Sequence, residues 1–197
     1  MIIMSENQAG SPINPYGRTK WHLEQILSDI DAAYPNFNYV ALRYFNVAGA
    51  DTDLEIGQGD KVATHLIKVA SQVAVGKRSQ ITINGSDYPT RDGTCERDYV
   101  HVTDLAQAHV KSIDYLRNNR SDIFNVSYGY GYTVQEVIDT VQSFAQLKVD
   151  YGLRREGDPA RLVGDCSKIR DKLNWHPKYN DIETICKTAW EWEKKLK

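Results

Sequence analysis

The stretch "NYVALRYFNV", residues 38–47, decides the fold class of this chain. It is rich in β-branched and aromatic residues and shows no alternation of apolar and polar positions, which is typical of a strand covered on both faces. Residues 15–33 before it have the pattern of an amphipathic helix, with Asn14 as the N-cap and Pro15 at the first helical position. A buried strand directly after a helix predicts a parallel α/β sheet.

Strand and helix patterns continue to alternate along the rest of the chain, so the predicted fold class is α/β throughout. Further helices are predicted over 61–75, 104–119, 134–146, 167–173 and 181–195, and further strands at the start of 79–94, in 97–102, in 122–127 and near Val149. Thr103 and Thr133 are the predicted N-caps of two of these helices, and Gly76 is a predicted helix end.

The composition points to a small polar ligand. The 24 basic and 26 acidic residues are spread along the chain, and no charged block suggests nucleic acid or an anionic membrane as a partner. The beginning, "MIIMSENQAGSP", lacks the basic flank of a signal peptide, and no window approaches ~18 apolar residues. The 3 cysteines show no metal-ligand spacing with the 5 histidines. We therefore expect no metal and a reducing, cytoplasmic compartment.

A possible proton-transfer pair stands in "NPYGRTK", residues 14–20, where Tyr16 and Lys20 lie one helical turn apart. A phenol with an ordinary pKa near 10 is a poor base at neutral pH, and a nearby ammonium together with a cationic nicotinamide ring favours the phenolate. The spacing alone is weak, because a surface tyrosine and a solvated lysine on one helix face have the same pattern.

Four blocks give the pair a specific context. They are "SPINPYGRTKWHLEQIL" (11–27), "VALRYFNVAGAD" (40–51), "GSDYPTRDGTCERDYVHVTDLAQAHV" (85–110) and "LRREGDPARLV" (153–163). In this order they closely resemble the UDP-glucose 4-epimerases of the extended short-chain dehydrogenase/reductase group, from about residue 9 to the end. The "DYPTRDGTCERDYVHV" block is much more specific than the Tyr/Lys spacing, because related dehydratases and decarboxylases usually lack it.

The resemblance implies a cofactor and a reaction. Tyr16 matches the family's catalytic base and acid, and Lys20 matches the lysine that grips the nicotinamide ribose. Tyr44 and Phe45 match residues close to the nicotinamide. In that family, bound NAD takes a hydride from sugar C4 while the tyrosine takes the O4 proton. The 4-keto sugar then turns in the pocket and receives the hydride on its other face.

The resemblance also implies a UDP-sugar site. Asn46 matches a residue that binds the nucleotide-sugar, Thr82 to Asn84 lie where a strand meets the uracil, and Asp158 matches the carboxylate on the ribose hydroxyls. Arg97 and Arg155 match the two arginines on the pyrophosphate, a dianion suited to a guanidinium fork. The remaining positions are His65 and Leu66, where an Asn-Leu pair commonly sits, and Leu162, which gates the sugar pocket and whose bulk argues against N-acetylated sugars.

Each of these assignments has a structural alternative. Arg97 and Asp98 also fit a strand-end ion pair, Arg155 and Asp158 also fit solvated loop charges, and His65 also fits a packing or capping role. At His65 the sequence departs from the Asn-Leu pair that is usual in the family. These alternatives stay open at the level of the sequence.

The resemblance predicts two domains and a homodimer. Residues 1–50 correspond to a remnant of the NAD-binding Rossmann domain, and 51–197 to the nucleotide-sugar-binding domain, with 98–127 as a segment that could return to the Rossmann sheet. Family members use the helix of Tyr16 for dimerisation. The expected partners are a UDP-sugar and a second copy of the chain, without nucleic acid or membrane.

The cofactor fingerprint G-x-G-x-x-G does not occur, since "GQG" at 57–59 and "GYG" at 129–131 both lack the third glycine. The resemblance places roughly 100 or more residues of βα units before the Tyr16 helix. It also places the family's helper Ser/Thr before Met1. We therefore expect a C-terminal portion that is inactive alone. Alternative readings are a non-catalytic nucleotide-sugar-binding fragment, an epimerase for UDP-pentoses or UDP-N-acetylhexosamines, and a dehydratase or reductase of the same superfamily.

Overall fold

The computed structural model of the chain describes residues 3–8, 12, 14–59 and 62–196. The helices are α1 (Pro15–Ala33), α2 (Leu66–Ala74), α3 (Val102–Leu116), α4 (Val134–Gln142), α5 (Ser167–Leu173) and α6 (Ile182–Lys195). The strands are β1 (Val40–Tyr44), β2 (Asn46–Ala48), β3 (Ile81–Asn84), β4 (Glu96–Arg97), β5 (Tyr99–His101), β6 (Asp122–Val126), β7 (Tyr132–Thr133), β8 (Val149–Gly152) and β9 (Arg161–Leu162).

Most strand pairs are parallel, as the alternation of strands and helices predicts. β1 pairs with β6, β2 with β5, and β3 with β8, each in parallel. β4 lies between β7, to which it is antiparallel, and β9, to which it is parallel. The predicted α/β fold class is therefore confirmed. The division into two domains at residue 50 stays a prediction.

The interpretation of residues 38–47 as one strand covered on both faces is wrong. The chain breaks at Phe45, and the two pieces pair with different strands, β1 with β6 and β2 with β5. No β1 residue is buried. Its incomplete burial follows from having only one neighbouring strand within the described residues.

Helix boundaries agree with local capping signals. Asn14 Oδ1 accepts a hydrogen bond from Gly17 N at 2.8 Å, and Thr133 is the N-cap of α4, both as predicted. The structure adds that Glu136 completes a capping box with Thr133. The cap of α3 differs from the prediction, because the helix begins at Val102 and its N-cap is His101, whose Nδ1 accepts from Thr103 N at 3.2 Å.

α2 and α1 depart from their predicted patterns. α2 begins at Leu66 instead of near residue 61, and its chain turns at Gly76, where φ is +77°. No residue of α1 is buried, and its predicted apolar side leaves Leu23 and Ile26 each 53% exposed. α1 is instead tied to β1 by a bidentate pair between Arg43 and Glu24, with N–O distances of 2.7 and 2.6 Å.

Two apolar clusters support the sheets. The first joins α2, α4 and α6 to β3; its buried members are Ile67, Ala70, Val73, Ile81, Ile83, Tyr99, Val137, Ile138, Val141, Ile185, Cys186 and Ala189. The second joins α3 and α5 to β5 and β6; its buried members are Val100, Ala108, Phe124, Val126, Cys166, Ile169, Leu173 and Trp175. β5 therefore contributes to both clusters, and the candidate site described next lies at the ends of β2 and β5.

Candidate functional site

The first turn of α1 presents Tyr16 to solvent. Asn14 caps the helix, Pro15 occupies its first position, and Tyr16 follows with a side chain that is 71% exposed. Lys20 stands one turn later, and its Nζ lies 5.4 Å from the centre of the Tyr16 ring. The two polar heads are therefore close enough to reach one bound ligand.

The larger candidate cleft, with a volume of about 810 Å³, contains five of the predicted residues. These are Tyr16, Tyr44, Phe45, Asn46 and His65. Its remaining lining was not predicted and comes mainly from the loop after β2 and the start of α3: Val47, Ala48, Gly49, Asp51, Ile56, Gly57, Gln58, Val102, Thr103 and Ala106. A strand-end and helix-start location is usual for ligand clefts in α/β folds.

A smaller cleft of about 290 Å³ contains four more of the predicted residues, Leu66, Thr82, Asn84 and Arg155. Ala63, Thr64, Val69, Arg78, Gln80, Ile81 and Val134 complete its lining and were not predicted. His65 lines the larger cleft, whereas Leu66, the next residue, lines the smaller one. The two clefts therefore approach each other at the start of α2.

The last three predicted residues lie together at β4 and β9. Arg97 Nη2 is 3.5 Å from Asp158 Oδ1, and Arg97 Nη1 donates to Glu96 O at 2.9 Å. Leu162 is opposite Arg97 in the β4–β9 pair. The alternative of an ion pair between Arg97 and Asp98 does not hold, because the Asp98 carboxylate accepts from backbone amides instead.

Arg155 and its neighbour Arg154 have different surroundings. Arg154 Nε contacts Asp87 Oδ1 at 2.6 Å, and its guanidinium lies 4.2 Å from the centre of the Tyr88 ring. The Arg155 guanidinium makes no hydrogen bond or ion pair with any of the residues that the structure describes. Its five N–H donors are available to an anion in the smaller cleft.

Asp98 is a buried carboxylate directly after Arg97. It accepts hydrogen bonds from Tyr128 N at 2.9 Å and Gly129 N at 3.0 Å. Burial nevertheless raises the pKa of Asp98 from 3.8 to about 6, with the two amides acting in the opposite direction. Burial also raises the pKa of the neighbouring Tyr99 phenol, which keeps it neutral at physiological pH.

We expect the Asp98 carboxyl to make folding stability fall as the pH rises through its titration range. The raised pKa means that the folded protein holds a proton that the unfolded chain releases, so its contribution is complete below pH 3.8 and lost as the pH passes about 6. A shift of this size corresponds to roughly 3 kcal/mol. Urea unfolding at several pH values measures this effect. Between pH 3.8 and about 6, the free energy of unfolding of the unaltered chain should fall by about this amount relative to that of Asp98→Asn. A difference that is constant from pH 4 to pH 7 would contradict the assignment.

The described residues form neither a metal cluster nor a membrane-spanning helix. No group of three or more His, Cys, Asp or Glu side chains there converges as a metal site would require. No helix in those ranges combines the length and the apolar character that crossing a membrane requires.

Comparisons with known proteins show which family the chain belongs to. A UDP-glucose 4-epimerase of Rhizobium meliloti (strain 1021) is 45% identical over 194 residues, which cover 97% of this chain and 58% of the relative. The UDP-Glc/GlcNAc 4-epimerase of Campylobacter jejuni is 50% identical, with a TM-score of 0.79 and coverage of 98% and 59% of the two chains. The UDP-glucose 4-epimerase of Bifidobacterium longum, solved in complex with NAD+ and UDP, is 35% identical, with a TM-score of 0.90 and coverage of 99% and 59%.

The chain thus spans just under three fifths of each of these proteins, and it matches their C-terminal part. The sequence profile of the NAD dependent epimerase/dehydratase family matches residues 3–127, more than half of the chain. That match includes Tyr16, Lys20, Asn46, His65 and Arg97. The chain belongs to the NAD-dependent epimerase/dehydratase family.

Proposed function

We propose that this chain is the nucleotide-sugar-binding part of a UDP-hexose 4-epimerase that interconverts UDP-glucose and UDP-galactose with bound NAD. The observation that carries the proposal is the approach of two clefts at His65 and Leu66. One cleft contains an exposed tyrosine beside a lysine, and the other contains the Arg155 guanidinium, which no described residue engages. A hexose with a transferable O4 proton fits the first, and a nucleoside diphosphate fits the second.

The proposed roles follow from this placement. Tyr16 accepts the proton of the sugar O4 hydroxyl and returns it, while Lys20 holds its ammonium beside the phenol ring. Arg97 and Arg155 bind the diphosphate, and Asp158, which faces Arg97, accepts from the ribose hydroxyls. Thr82, Asn84 and Leu66 contact the uracil, and Asn46 contacts the sugar-bearing end. NAD supplies the hydride acceptor when it is bound.

The residues of the larger cleft fit the nicotinamide end of NAD. Tyr44 and Phe45 provide aromatic faces, and the Phe45 ring lies so close over Gly164 that a Cβ there would come within 2.4 Å of it. Only a glycine at 164 leaves room for this ring position. Within the described ranges, no glycine-rich turn opens a helix after a strand, so we assign none of those residues to the NAD pyrophosphate.

We predict that Arg155→Ala weakens UDP binding by about 1.5–3 kcal/mol, because it removes a charged donor from the diphosphate. This corresponds to a rise of roughly 10- to 150-fold in the dissociation constant, measured by calorimetry on the purified chain. The matched control is Arg154→Ala, since Arg154 is already engaged by Asp87 and Tyr88. Equal affinities of the Arg155 and Arg154 variants would refute the assignment.

The proposed activity is tested with a chimera. The N-terminal segment of the Rhizobium meliloti relative that precedes its matched region is joined to this chain, and conversion of UDP-galactose to UDP-glucose is followed. We expect turnover in the chimera. A folded chimera that binds NAD and UDP but converts neither sugar would exclude the epimerase proposal and leave the binding-fragment alternative.

A second candidate substrate is UDP-N-acetylglucosamine. It is favoured by the 50% identity to a protein described as a UDP-Glc/GlcNAc 4-epimerase. The bulk of Leu162 argues in the other direction. Comparing the rates of the chimera with UDP-glucose and with UDP-N-acetylglucosamine decides between a single and a dual specificity.

We also propose that the complete protein is a cytoplasmic homodimer that associates through α1. Leu23 and Ile26 on this helix are each 53% exposed, which supports an apolar contact with a second copy. The three cysteines are buried and unpaired, in keeping with a reducing compartment. Light scattering of the protein and of Ile26→Lys tests the association, and an unchanged monomer in both would exclude it.

A further inference from the structure

The loop of residues 51–59 forms one wall of the larger cleft and is anchored from behind by α6. Ile56, Gly57 and Gln58 line the cleft. The backbone carbonyl of Gln58 accepts two hydrogen bonds, one from Trp192 Nε1 at 3.0 Å and one from Lys68 Nζ at 2.6 Å. Two donors from different helices on one carbonyl fix the position of the loop.

The contact between α6 and the loop is also a close steric one. A Cβ at Gly57 would lie 2.5–2.6 Å from three atoms of the Trp192 ring, so only a glycine lets the backbone rest against the indole. Lys195 Nζ donates to Leu54 O at 2.6 Å, a few residues earlier in the same loop. Helix α6 therefore contacts the backbone of the loop at three positions, Leu54, Gly57 and Gln58.

The ammonium of Lys68 is kept in place by a buried carboxylate. The Lys68 and Glu193 side chains are only 5% and 2% exposed, and Lys68 Nζ lies 2.5 Å from Glu193 Oε2. The other carboxylate oxygen, Oε1, is 2.9 Å from Lys77 Nζ. A buried charge without a partner is strongly unfavourable, so the pair stabilises the protonated lysine that donates to Gln58 O.

Trp192, Lys68 and Glu193 together form the anchor of the 51–59 loop. This anchor lies next to the point where the two clefts meet. Gln58 Nε2 lies 3.3 Å from His65 Nδ1, and His65 lines the larger cleft while Leu66 lines the smaller one. A displacement of the loop would therefore move His65 and the wall of the larger cleft. The smaller cleft has no residue of the 51–59 loop among its lining residues.

We propose that Trp192 and the Lys68–Glu193 pair are positioning residues for the sugar part of the ligand. Acting through the carbonyl of Gln58, they hold the 51–59 loop and His65 in the arrangement in which the larger cleft accepts a hexose. They have little effect on the binding of the nucleotide part, because no residue of the loop lines the smaller cleft. This inference rests on the proposed function, since it takes the larger cleft as the hexose site.

The test compares two ligands and two kinds of variant. UDP and UDP-glucose are titrated by calorimetry into the chain, Trp192→Phe, the double variant Lys68→Met/Glu193→Gln, and the control Glu191→Gln. Trp192→Phe keeps an aromatic side chain but removes the Nε1 donor, and the double variant removes the second donor without leaving an unpaired buried charge. Glu191 lies on the same helix and pairs only with Lys194 among the described residues.

We expect the ratio of the UDP-glucose to the UDP dissociation constant to rise about tenfold in both anchor variants and to stay unchanged in Glu191→Gln. A global loss of stability would weaken the binding of UDP and of UDP-glucose by the same factor and would leave this ratio unchanged. An unchanged ratio in both anchor variants would overturn the inference.

Amide hydrogen exchange tests whether the anchor holds the loop, and this test does not depend on which ligand the clefts bind. Asp51 N donates to Ile56 O and Leu54 N donates to Asp51 O, both at 2.9 Å. Exchange at these two amides should rise about tenfold in the anchor variants and not in the control. If the unaltered chain binds no UDP, the proposed function fails, and exchange alone then decides the anchor: faster exchange supports it, and unchanged exchange overturns it.

Discussion

Replacement of Tyr16 by phenylalanine in the epimerase chimera is expected to lower turnover by about 10²–10⁴-fold, the usual effect of removing a positioned general acid or base. The phenol oxygen is the only atom removed, and the side chain is 71% exposed, so folding should be unaffected. Dissociation constants for NAD and UDP should stay close to those of the unaltered chimera. The measurement is a steady-state assay with UDP-galactose, supported by calorimetric titration of both ligands.

Tyr34 provides the matched control for this experiment. It is the C-cap residue at the other end of α1 and is 63% exposed, so Tyr34→Phe makes the same chemical change on the same helix away from the cleft. Its turnover should equal that of the unaltered chimera. If the turnover of the Tyr16 variant is within about twofold of that of the Tyr34 variant, Tyr16 is a surface tyrosine without a catalytic role.

Truncation of Trp175 to alanine is expected to have the largest effect on stability, a loss of about 3–5 kcal/mol in the free energy of unfolding. Trp175 is fully buried in the second cluster, its Nε1 donates to Asp104 O at 3.0 Å, and its ring stacks on Tyr128 at 6.2 Å between centroids. Tyr128 OH in turn accepts from His101 N at 2.9 Å, just before the α3 residues that line the cleft. Urea unfolding measures the loss.

Trp175→Phe separates packing from hydrogen bonding at this position. The phenyl ring retains most of the apolar contact but loses the Nε1 donor, so we expect a smaller loss of about 1–3 kcal/mol. A loss below about 1 kcal/mol in the alanine variant would mean that the second cluster does not form around this residue as described.

Local signals in the sequence predicted most elements because the groups that define them are neighbours in the chain. The Thr133 cap of α4 and the Asn14–Pro15 start of α1 each involve only residues of the first helical turn. The α3 cap was predicted wrongly because serine, threonine, asparagine and aspartate dominate N-cap statistics, whereas here a buried imidazole accepts the amide hydrogen bond.

Strand pairing and burial could not be predicted in the same way. Residues 38–47 have the composition of a doubly covered strand, but which strand lies beside them depends on contacts with 99–101 and 122–126, far along the chain. The apolar pattern predicts one continuous strand, whereas the break at Phe45 redirects the chain to a second neighbouring strand. A propensity pattern carries no information on such partners.

The candidate site was predicted where the family motifs are and missed where they are not. The resemblance supplied Tyr16, His65 and Arg155, all of which line the two clefts. It did not supply the cleft wall at 56–58, because glycine, isoleucine and glutamine in a loop match no motif. The "GQG" at 57–59 lacks the third glycine of the cofactor fingerprint, and its Gly57 is required instead by the close approach of Trp192.

A crystal structure of the chain with bound UDP-glucose tests the central claim most directly. We predict the uracil against Leu66, Thr82 and Asn84, the diphosphate between Arg97 and Arg155, and the hexose in the larger cleft with its O4 within about 3.2 Å of the Tyr16 hydroxyl. A hexose outside the larger cleft, or a diphosphate that contacts neither arginine, would contradict the account.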